Sequence, residues 1–295
     1  MFPVPVLLGL SALWGAAKIS DANDKIRSAN SINSQAARIA DSAKNLVESA
    51  NSEMNNSLEK LGRTETNIMD GSVNDFVKMF EKIYSEFEYK KNYSGLQKLE
   101  QMGFKKKVIE EMKVISNKFE QISSTGELKQ IEGNSFGAIG LLGAGALVGG
   151  LGVIAAPAVL LYSFMKSDEA EAALYEAKSR MDEARLYEQR CKNLSALFEA
   201  INTRGKMIND LLTDLNRYLS PAVRDMRQII SRCGLELDEY EDKDSLPIYY
   251  AYQITNTVKI IVETPIVQSD WSINPMLDRS LEMGQKNVAF LKSSN

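Results

Sequence analysis

Residues 19–61 read ISDANDKIRSANSINSQAARIADSAKNLVESANSEMNNSLEKL. Small and apolar residues recur there at alternating steps of three and four, which keeps them on one face of a helix that packs along a partner. Neither proline nor glycine interrupts the pattern. The stretch therefore predicts one long helix over most of 20–60, with an alanine-rich face that lets another helix approach closely. That face comprises Ile19, Ala22, Ile26, Ala29, Asn33, Ala36, Ala40, Ala43, Val47, Ala50, Met54, Ser57 and Leu61.

A second seven-residue pattern predicts another long helix, over most of 168–218. Its other face carries charges such as Asp182 and Glu183, as expected for a helix that is solvated on one side. Pro221 follows the pattern and permits only a short continuation, to about Cys233. The apolar face comprises Leu174, Ala177, Met181, Ala184, Tyr187, Cys191, Leu194, Phe198, Ile201, Ile208, Leu212, Leu215 and Leu219.

Shorter helices are predicted between and after these two. Gly62 and Gly71 bracket a predicted bend, and an apolar stripe from Val73 to Phe87 predicts a helix with a broad buried face. A further helix is expected over about 96–122. The apolar run 248–262 fits helical spacing better than a strand, and 275–291 predicts a closing helix. The chain is therefore expected to be all-α.

Residues 136–165 read FGAIGLLGAGALVGGLGVIAAPAVLLYSFM and contain no charged side chain. Each glycine would cost a water-exposed helix roughly 1 kcal/mol relative to alanine, so the glycines indicate close backbone packing. Gly145 and Gly149 have the spacing by which membrane helices pack. The segment, called the glycine segment below, is predicted to meet a membrane. The residues expected to serve insertion and helix packing are Gly137, Gly140, Gly143, Gly145, Gly149, Gly150, Gly152 and Pro157.

The length of the glycine segment leaves several arrangements open. Thirty residues in one helix reach about 45 Å, which exceeds the roughly 30 Å of a hydrocarbon core. A hairpin that turns at Gly149-Gly150 has arms of about 22 Å, too short for two full crossings. A tilted span, a re-entrant hairpin and a buried hairpin that inserts later remain, alongside a plain dimerising anchor and an ordinary core hairpin.

The first seventeen residues, MFPVPVLLGLSALWGAA, are apolar and precede Lys18. They lack the basic start of a secretory signal, and Pro3 and Pro5 shorten any helix that crosses a bilayer. An interfacial or buried anchoring helix is the preferred interpretation. A cytoplasmic or inner-membrane location in a bacterium is expected, with secretion as the alternative because Gly15-Ala16-Ala17 resembles a cleavage site. The anchoring residues would be Val6, Leu7, Leu8, Leu10, Leu13 and Trp14.

The directions of the two long helices suggest an architecture. The first helix leads away from the apolar N-terminus and the second leads away from the glycine segment, so both apolar elements are expected at one end of an elongated helical bundle or coiled-coil stalk. Met1–Ala17 is then expected to pack beside 136–165. The predicted regions are an N-terminal element at 1–18, a first stalk part at 19–130, the membrane segment at 136–165, a second stalk part at 166–235, and a C-terminal helical region at 236–295.

Composition argues against most enzyme classes. The chain has no histidine, which removes the commonest general base and zinc ligand. Its two cysteines, Cys191 and Cys233, lack metal-binding spacing and are expected to be reduced and buried. No P-loop, GxSxG or HExxH motif occurs. A net charge of −4 offers no basic field for nucleic acid. We expect no catalytic residue, no metal, no cofactor, no nucleic-acid partner and no small-molecule substrate.

Three blocks carry a resemblance to a family of uncharacterised bacterial helical proteins, often labelled chemotaxis-like by automatic annotation. They are SLEKLGRTETNIMDGSVNDFVKMFEKI (57–83), EAEAALYEAKSRMDEARLYEQ (169–189) and VKIIVETPIV (258–267). Members of this family have a short apolar N-terminus and a Gly/Ala-rich apolar core, and the resemblance implies no reaction. The layout is also similar to that of helical pore-forming toxins, whose long helices flank a stowed apolar hairpin.

Two functions are compatible with these features. The first is a membrane-acting bacterial effector whose glycine segment inserts into a lipid bilayer and oligomerises to permeabilise or remodel it. The alternative is a membrane-anchored coiled-coil scaffold or signal-relay protein. The expected partners are a lipid bilayer and either further copies of the chain or another helical protein.

Overall fold

A computed structural model describes residues 6–125, 170–236, 240–268 and 270–293. The described part is all-α and contains no strand; one isolated antiparallel bridge joins Val267 and Ile273. The elements are α1 (Val6–Ile68), a π turn (Met69–Val73), α2 (Asn74–Tyr89), α3 (Tyr93–Gln101), α4 (Lys106–Thr125), α5 (Ala170–Cys233), α6 (Asp242–Glu263) and α7 (Pro275–Ser293).

The two long helices are confirmed. Helix α1 covers all of 20–60, and α5 covers nearly all of 168–218 and ends at Cys233, where the short continuation past Pro221 was expected. The closing helix and the helix over 248–262 are also confirmed, as α7 and α6. Pro221 lies inside α5, and Val223 and Met226 just beyond it are buried, so tertiary packing offsets the backbone hydrogen bond that proline cannot make.

The prediction of a bend bracketed by Gly62 and Gly71 is wrong at its first end. Gly62 lies inside α1, and its carbonyl accepts a hydrogen bond from the Thr66 hydroxyl at 2.8 Å. The α-helical hydrogen-bond pattern is interrupted only at Met69, where one π turn that contains Gly71 joins α1 to α2 without a loop. A π turn adds one residue to the helix, which shifts the faces that follow it.

The single helix predicted over 96–122 is two helices. Gly103 has φ +94°, a left-handed conformation that ends α3. The amide of Phe104 donates to the carbonyl of Leu99 and that of Gly103 to Glu100, both at 3.0 Å, which is the Schellman pattern of helix termination. Phe104 then becomes a buried residue in the turn before α4. The sequence predicted one helix here because the apolar residues on both sides of Gly103 follow a single helical spacing.

The chain divides into two compact units. Unit 1 contains Met1–Ser52 and Val148–Glu199, and unit 2 contains Glu53–Leu147 and Ala200–Asn295. Of the described residues, unit 1 therefore has one part each of α1 and α5. Unit 2 has the remaining part of both helices together with the π turn, α2, α3, α4, α6 and α7.

The core of unit 2 centres on aromatic side chains from three elements. Phe80 lies 4.8 Å from Phe76 and 5.1 Å from Phe104 between ring centroids. Tyr252 of α6 lies 5.0 Å from Phe104 in an edge-to-face arrangement. Because aromatic burial and edge contacts both stabilise, this cluster anchors α2, the turn before α4 and α6 to one another.

Candidate functional site

The predicted membrane residues lie outside the part that the structure describes in detail. The glycine segment, with all eight of its named glycine and proline positions, falls between the described ranges 6–125 and 170–236. The anchoring residues from Val6 to Trp14 lie on the first turns of α1, without a description of their side chains. The expected contact between Met1–Ala17 and 136–165 is likewise outside the described residues. The helices that adjoin these segments, α1 and α5, are described.

In unit 1, α1 and α5 lie side by side and run parallel. Arg180 Nη1 of α5 donates a hydrogen bond to Asn33 Oδ1 of α1 at 3.4 Å. Further along both helices, Tyr187 of α5 lies near Glu48 of α1, so the two helices advance in the same direction. Since α1 begins within the apolar N-terminal element, at Val6, and α5 follows the glycine segment, both apolar elements adjoin the N-terminal ends of the same parallel helix pair.

The contact face of α1 in unit 1 is alanine-rich and narrow, as the sequence indicated. Ala36, Met181 and Ala184 form a buried cluster, with Ile32 and Ile39 packed against it. Ile26 departs from the prediction because 44% of it is exposed. A buried methyl group contributes only about 0.8 kcal/mol, so this seam gives close approach and modest stability. The alanine seam of α1 comprises Ala29, Ala36, Ala40, Ala43, Val47 and Ala50.

Two polar side chains of α5 flank the seam in unit 1. Arg180, with only 11% of its side chain exposed, also pairs with Glu176 at 3.5 Å. Burial, a hydrogen bond with Cys191 and the nearby Glu48 together raise the pKa of Tyr187 to about 12. Tyr187 therefore stays neutral at physiological pH. These groups give the seam polar contacts that favour one register over others.

The parallel register can be tested with the native thiol Cys191. We expect Ala43→Cys to form a disulfide with Cys191 on mild oxidation, because both positions are buried and lie a similar number of residues beyond the Asn33–Arg180 pair. Ala50→Cys, about 10 Å further along the same face, is the matched control and should not be bridged. Non-reducing mass spectrometry in a Cys233→Ser background measures both. An antiparallel pair would leave both introduced thiols free, because Cys191 would then lie beside the residues that precede Asn33.

The two cysteines differ in environment. Both are free thiols; Cys191 is buried, as predicted, whereas Cys233 is exposed, and for that residue the prediction of burial is wrong. Cys233 is the last residue of α5, where the helix reaches the surface. Arg232 Nε donates to its sulfur at 3.5 Å.

Two further apolar stretches, the stripe Phe76–Phe87 and the run 248–262, were expected to form helices with buried faces. The structure places both in the core of unit 2, where they cover one another: Tyr252 lies 6.3 Å from both Phe76 and Phe80. Tyr84 donates to the carbonyl of Phe104 at 3.2 Å, and burial raises the pKa of its hydroxyl to about 12.

An ion-pair cluster joins α4 and α6 beside this core. Lys259 Nζ lies 2.8 Å from Glu111 Oε2 and 2.9 Å from Glu263 Oε2, with 10% of the lysine side chain exposed. Burial alone lowers the pKa of Lys259, but its hydrogen bonds with Glu111 and Glu263 outweigh burial and raise that pKa overall. The same contact lowers the pKa of Glu111. The cluster links α4 to α6, because one lysine charge is shared by carboxylates from both helices.

A polar stripe between α1 and α5 in unit 2 was missed by the sequence reasoning. The Thr64 hydroxyl donates to Asn209 Oδ1 at 2.8 Å, and the Ser72 hydroxyl donates to Asn216 Oδ1 at 3.0 Å. The sequence does contain a pattern that indicates this stripe, because three asparagines of α5 are spaced seven residues apart and so lie on one helical face. This asparagine stripe consists of Asn202, Asn209 and Asn216.

The described residues contain neither a ready membrane span nor a metal cluster. No described helix combines the length and the apolarity needed to cross a bilayer. Within the same ranges, no three histidine, cysteine, aspartate or glutamate side chains are grouped so that they could hold a metal ion. The resemblances to the uncharacterised helical family and to pore-forming toxins stay predictions, because no family model, no curated protein and no solved structure matches this chain.

Proposed function

We propose that the chain is a bacterial membrane-acting effector, whose residues 136–165 insert into a lipid bilayer and oligomerise to permeabilise or remodel it. One observation carries the proposal. In unit 1, α1 and α5 are parallel, with Arg180 bonded to Asn33, so the apolar first turns of α1 and the glycine segment that precedes α5 adjoin the same end of the helix pair. Both apolar elements can reach the same bilayer only if they adjoin the same end of the helix pair.

The composition of residues 136–165 supports insertion and self-association. The segment is uncharged, so its partition into hydrocarbon carries no cost of charge burial. Gly145 and Gly149 present a small surface on which a second helix can approach backbone to backbone. The proposed partners are therefore a bilayer and further copies of the same segment, with the anchoring residues Val6–Trp14 at the interface.

The runner-up is a membrane-anchored scaffold or signal-relay protein, and one observation favours it. Large apolar side chains of the unit 1 helices stay exposed, among them Leu46, Tyr175 and Leu186. A helical protein partner would cover such side chains. A scaffold of this kind would bind lipid but leave the bilayer intact, so leakage separates the two functions.

Dye release from liposomes tests the proposal. We expect the full chain to float with liposomes and to release an encapsulated dye, and a variant that lacks 136–165 to do neither. Circular dichroism of the variant should retain strong helical minima, because α1 to α4 and α5 to α7 lie outside the deletion. Flotation without dye release would support the scaffold instead. Failure of the full chain to bind liposomes of any tested charge would overturn both membrane roles.

A further inference from the structure

The contact between α1 and α5 in unit 2 differs in chemistry from the rest of that unit. Hydroxyl and amide side chains meet at the asparagine stripe, whereas α2, the turn before α4 and α6 meet through aromatic rings. Ser72 additionally lies 3.2 Å from the Ser220 hydroxyl. Neutral hydrogen bonds of this kind contribute little net stability, because water replaces them when the two surfaces part.

One amide oxygen of the stripe, Oδ1 of Asn202, is buried without a hydrogen bond when the two helices are in contact. Asn202 is 7% exposed, and its Oδ1 finds no hydrogen-bond partner among the described residues. The Ser57 hydroxyl approaches only the backbone carbonyl of Asn202, at a long 3.5 Å. A buried acceptor without a partner disfavours the closed state, and water would satisfy it in an open one.

The next turn of α5 adds no side chain to the contact. Gly205 faces Ser57, and a Cβ at Gly205 would lie 3.0 Å from the Ser57 hydroxyl oxygen. A groove of about 560 Å³ runs along the same contact and is lined by polar and charged residues of both helices, including Lys60, Lys206 and Asp210. Solvent therefore already reaches the edge of the stripe.

The same stretch of α1 also carries fully buried apolar residues. Met54, Leu58 and Leu61 are at most 1% exposed. Met54 and Ser57 are three residues apart and so occupy one face of α1, next to the asparagine stripe.

We infer that the α1–α5 contact of unit 2 is an opening seam: the two helices separate there and readmit water while the aromatic core of α2, α4 and α6 stays folded. The polar bonds, the uncompensated Asn202 acceptor and the missing side chain at Gly205 all lower the free energy of opening relative to the aromatic core. The inference concerns the motion of unit 2 and stands independently of the membrane proposal.

Thiol labelling measures the opening directly. In a Cys191→Ala, Cys233→Ser background, Met54→Cys places a thiol on the seam face and Met112→Cys places one in α4; both methionines are fully buried. We expect a soluble thiol reagent to modify Met54→Cys at least about tenfold faster than Met112→Cys, because only the seam opens locally. Equal rates would overturn the inference.

Filling the polar positions should close the seam. Asn202→Leu removes the uncompensated acceptor, and we expect it to slow labelling of Met54→Cys about tenfold without changing the rate at Met112→Cys. Should Asn202→Leu fail to fold, the pair Thr64→Val with Asn209→Leu, which replaces both partners of one hydrogen bond, gives the same test. The matched control is Asn287→Leu, which removes the 2.6 Å hydrogen bond to Thr257 between α7 and α6. An unchanged labelling rate of Met54→Cys in both seam variants would contradict an opening seam. So would an equal slowing of that rate by Asn287→Leu.

Discussion

Gly149→Lys is expected to abolish flotation with liposomes while the helical units remain folded. A lysine at mid-bilayer costs roughly 2.5–3.5 kcal/mol on insertion scales, which corresponds to about a hundredfold in partition. The long side chain also blocks the close helix approach that Gly145 and Gly149 permit. Flotation on a density gradient measures the partition, and circular dichroism checks the fold.

Gly149→Ala is the matched control for this variant. Alanine adds one methyl group, keeps the surface small and carries no charge, so flotation should persist. Full flotation of Gly149→Lys would contradict insertion of the glycine segment. Loss of helical signal in Gly149→Lys, with Gly149→Ala unaffected, would instead identify 136–165 as a buried core hairpin, the alternative that the sequence left open.

Phe80→Ala is expected to produce the largest loss of stability in unit 2. Phe80 is fully buried and touches rings on three elements, through Phe76, Phe104 and Tyr252. Truncation of a buried phenylalanine costs about 3–5 kcal/mol, through lost transfer free energy and the cavity that remains. Since the free energy of unfolding of a folded domain is only about 5–15 kcal/mol, the midpoint of urea unfolding should fall sharply.

Phe290→Ala makes the same chemical change at a position that is 56% exposed. Its cost should stay below about 1 kcal/mol, since surface truncations remove little buried area. Equal unfolding midpoints for the two variants would show that the aromatic cluster does not carry the stability of unit 2.

The long helices follow from local sequence. The seven-residue patterns in 19–61 and 174–219 place apolar residues on one face, and that periodicity alone indicates helices that run with a partner. The helices at 248–262 and 275–291 follow in the same way. The expectation of no metal and no cofactor also comes from the sequence alone, because the absence of histidine is a property of composition. The glycine segment and its membrane role remain predictions from the sequence.

Helix boundaries set by single backbone conformations required the structure. Gly62 and Gly103 look alike in sequence, yet Gly62 continues α1 and Gly103 takes φ +94° to end α3. Which glycine becomes a cap depends on whether the following residue finds a buried position, as Phe104 does beside Phe80 and Tyr252. The π turn at Met69–Val73 also required the structure, since it depends on packing at both of its ends and has no sequence signature.

The sequence determined by itself that this protein is all-α, built on two long amphipathic helices, with an uncharged glycine-rich segment between them. Periodicity suffices for that, because burial of one helical face requires only residues three and four apart. Tertiary structure alone decided that the stripe Phe76–Phe87 and the run 248–262 cover one another, that Lys259 joins Glu111 and Glu263, and that Asn202 is buried without compensation. Those contacts join residues far apart in the chain, and their energies depend on which partner side chain each residue meets, which no local pattern contains.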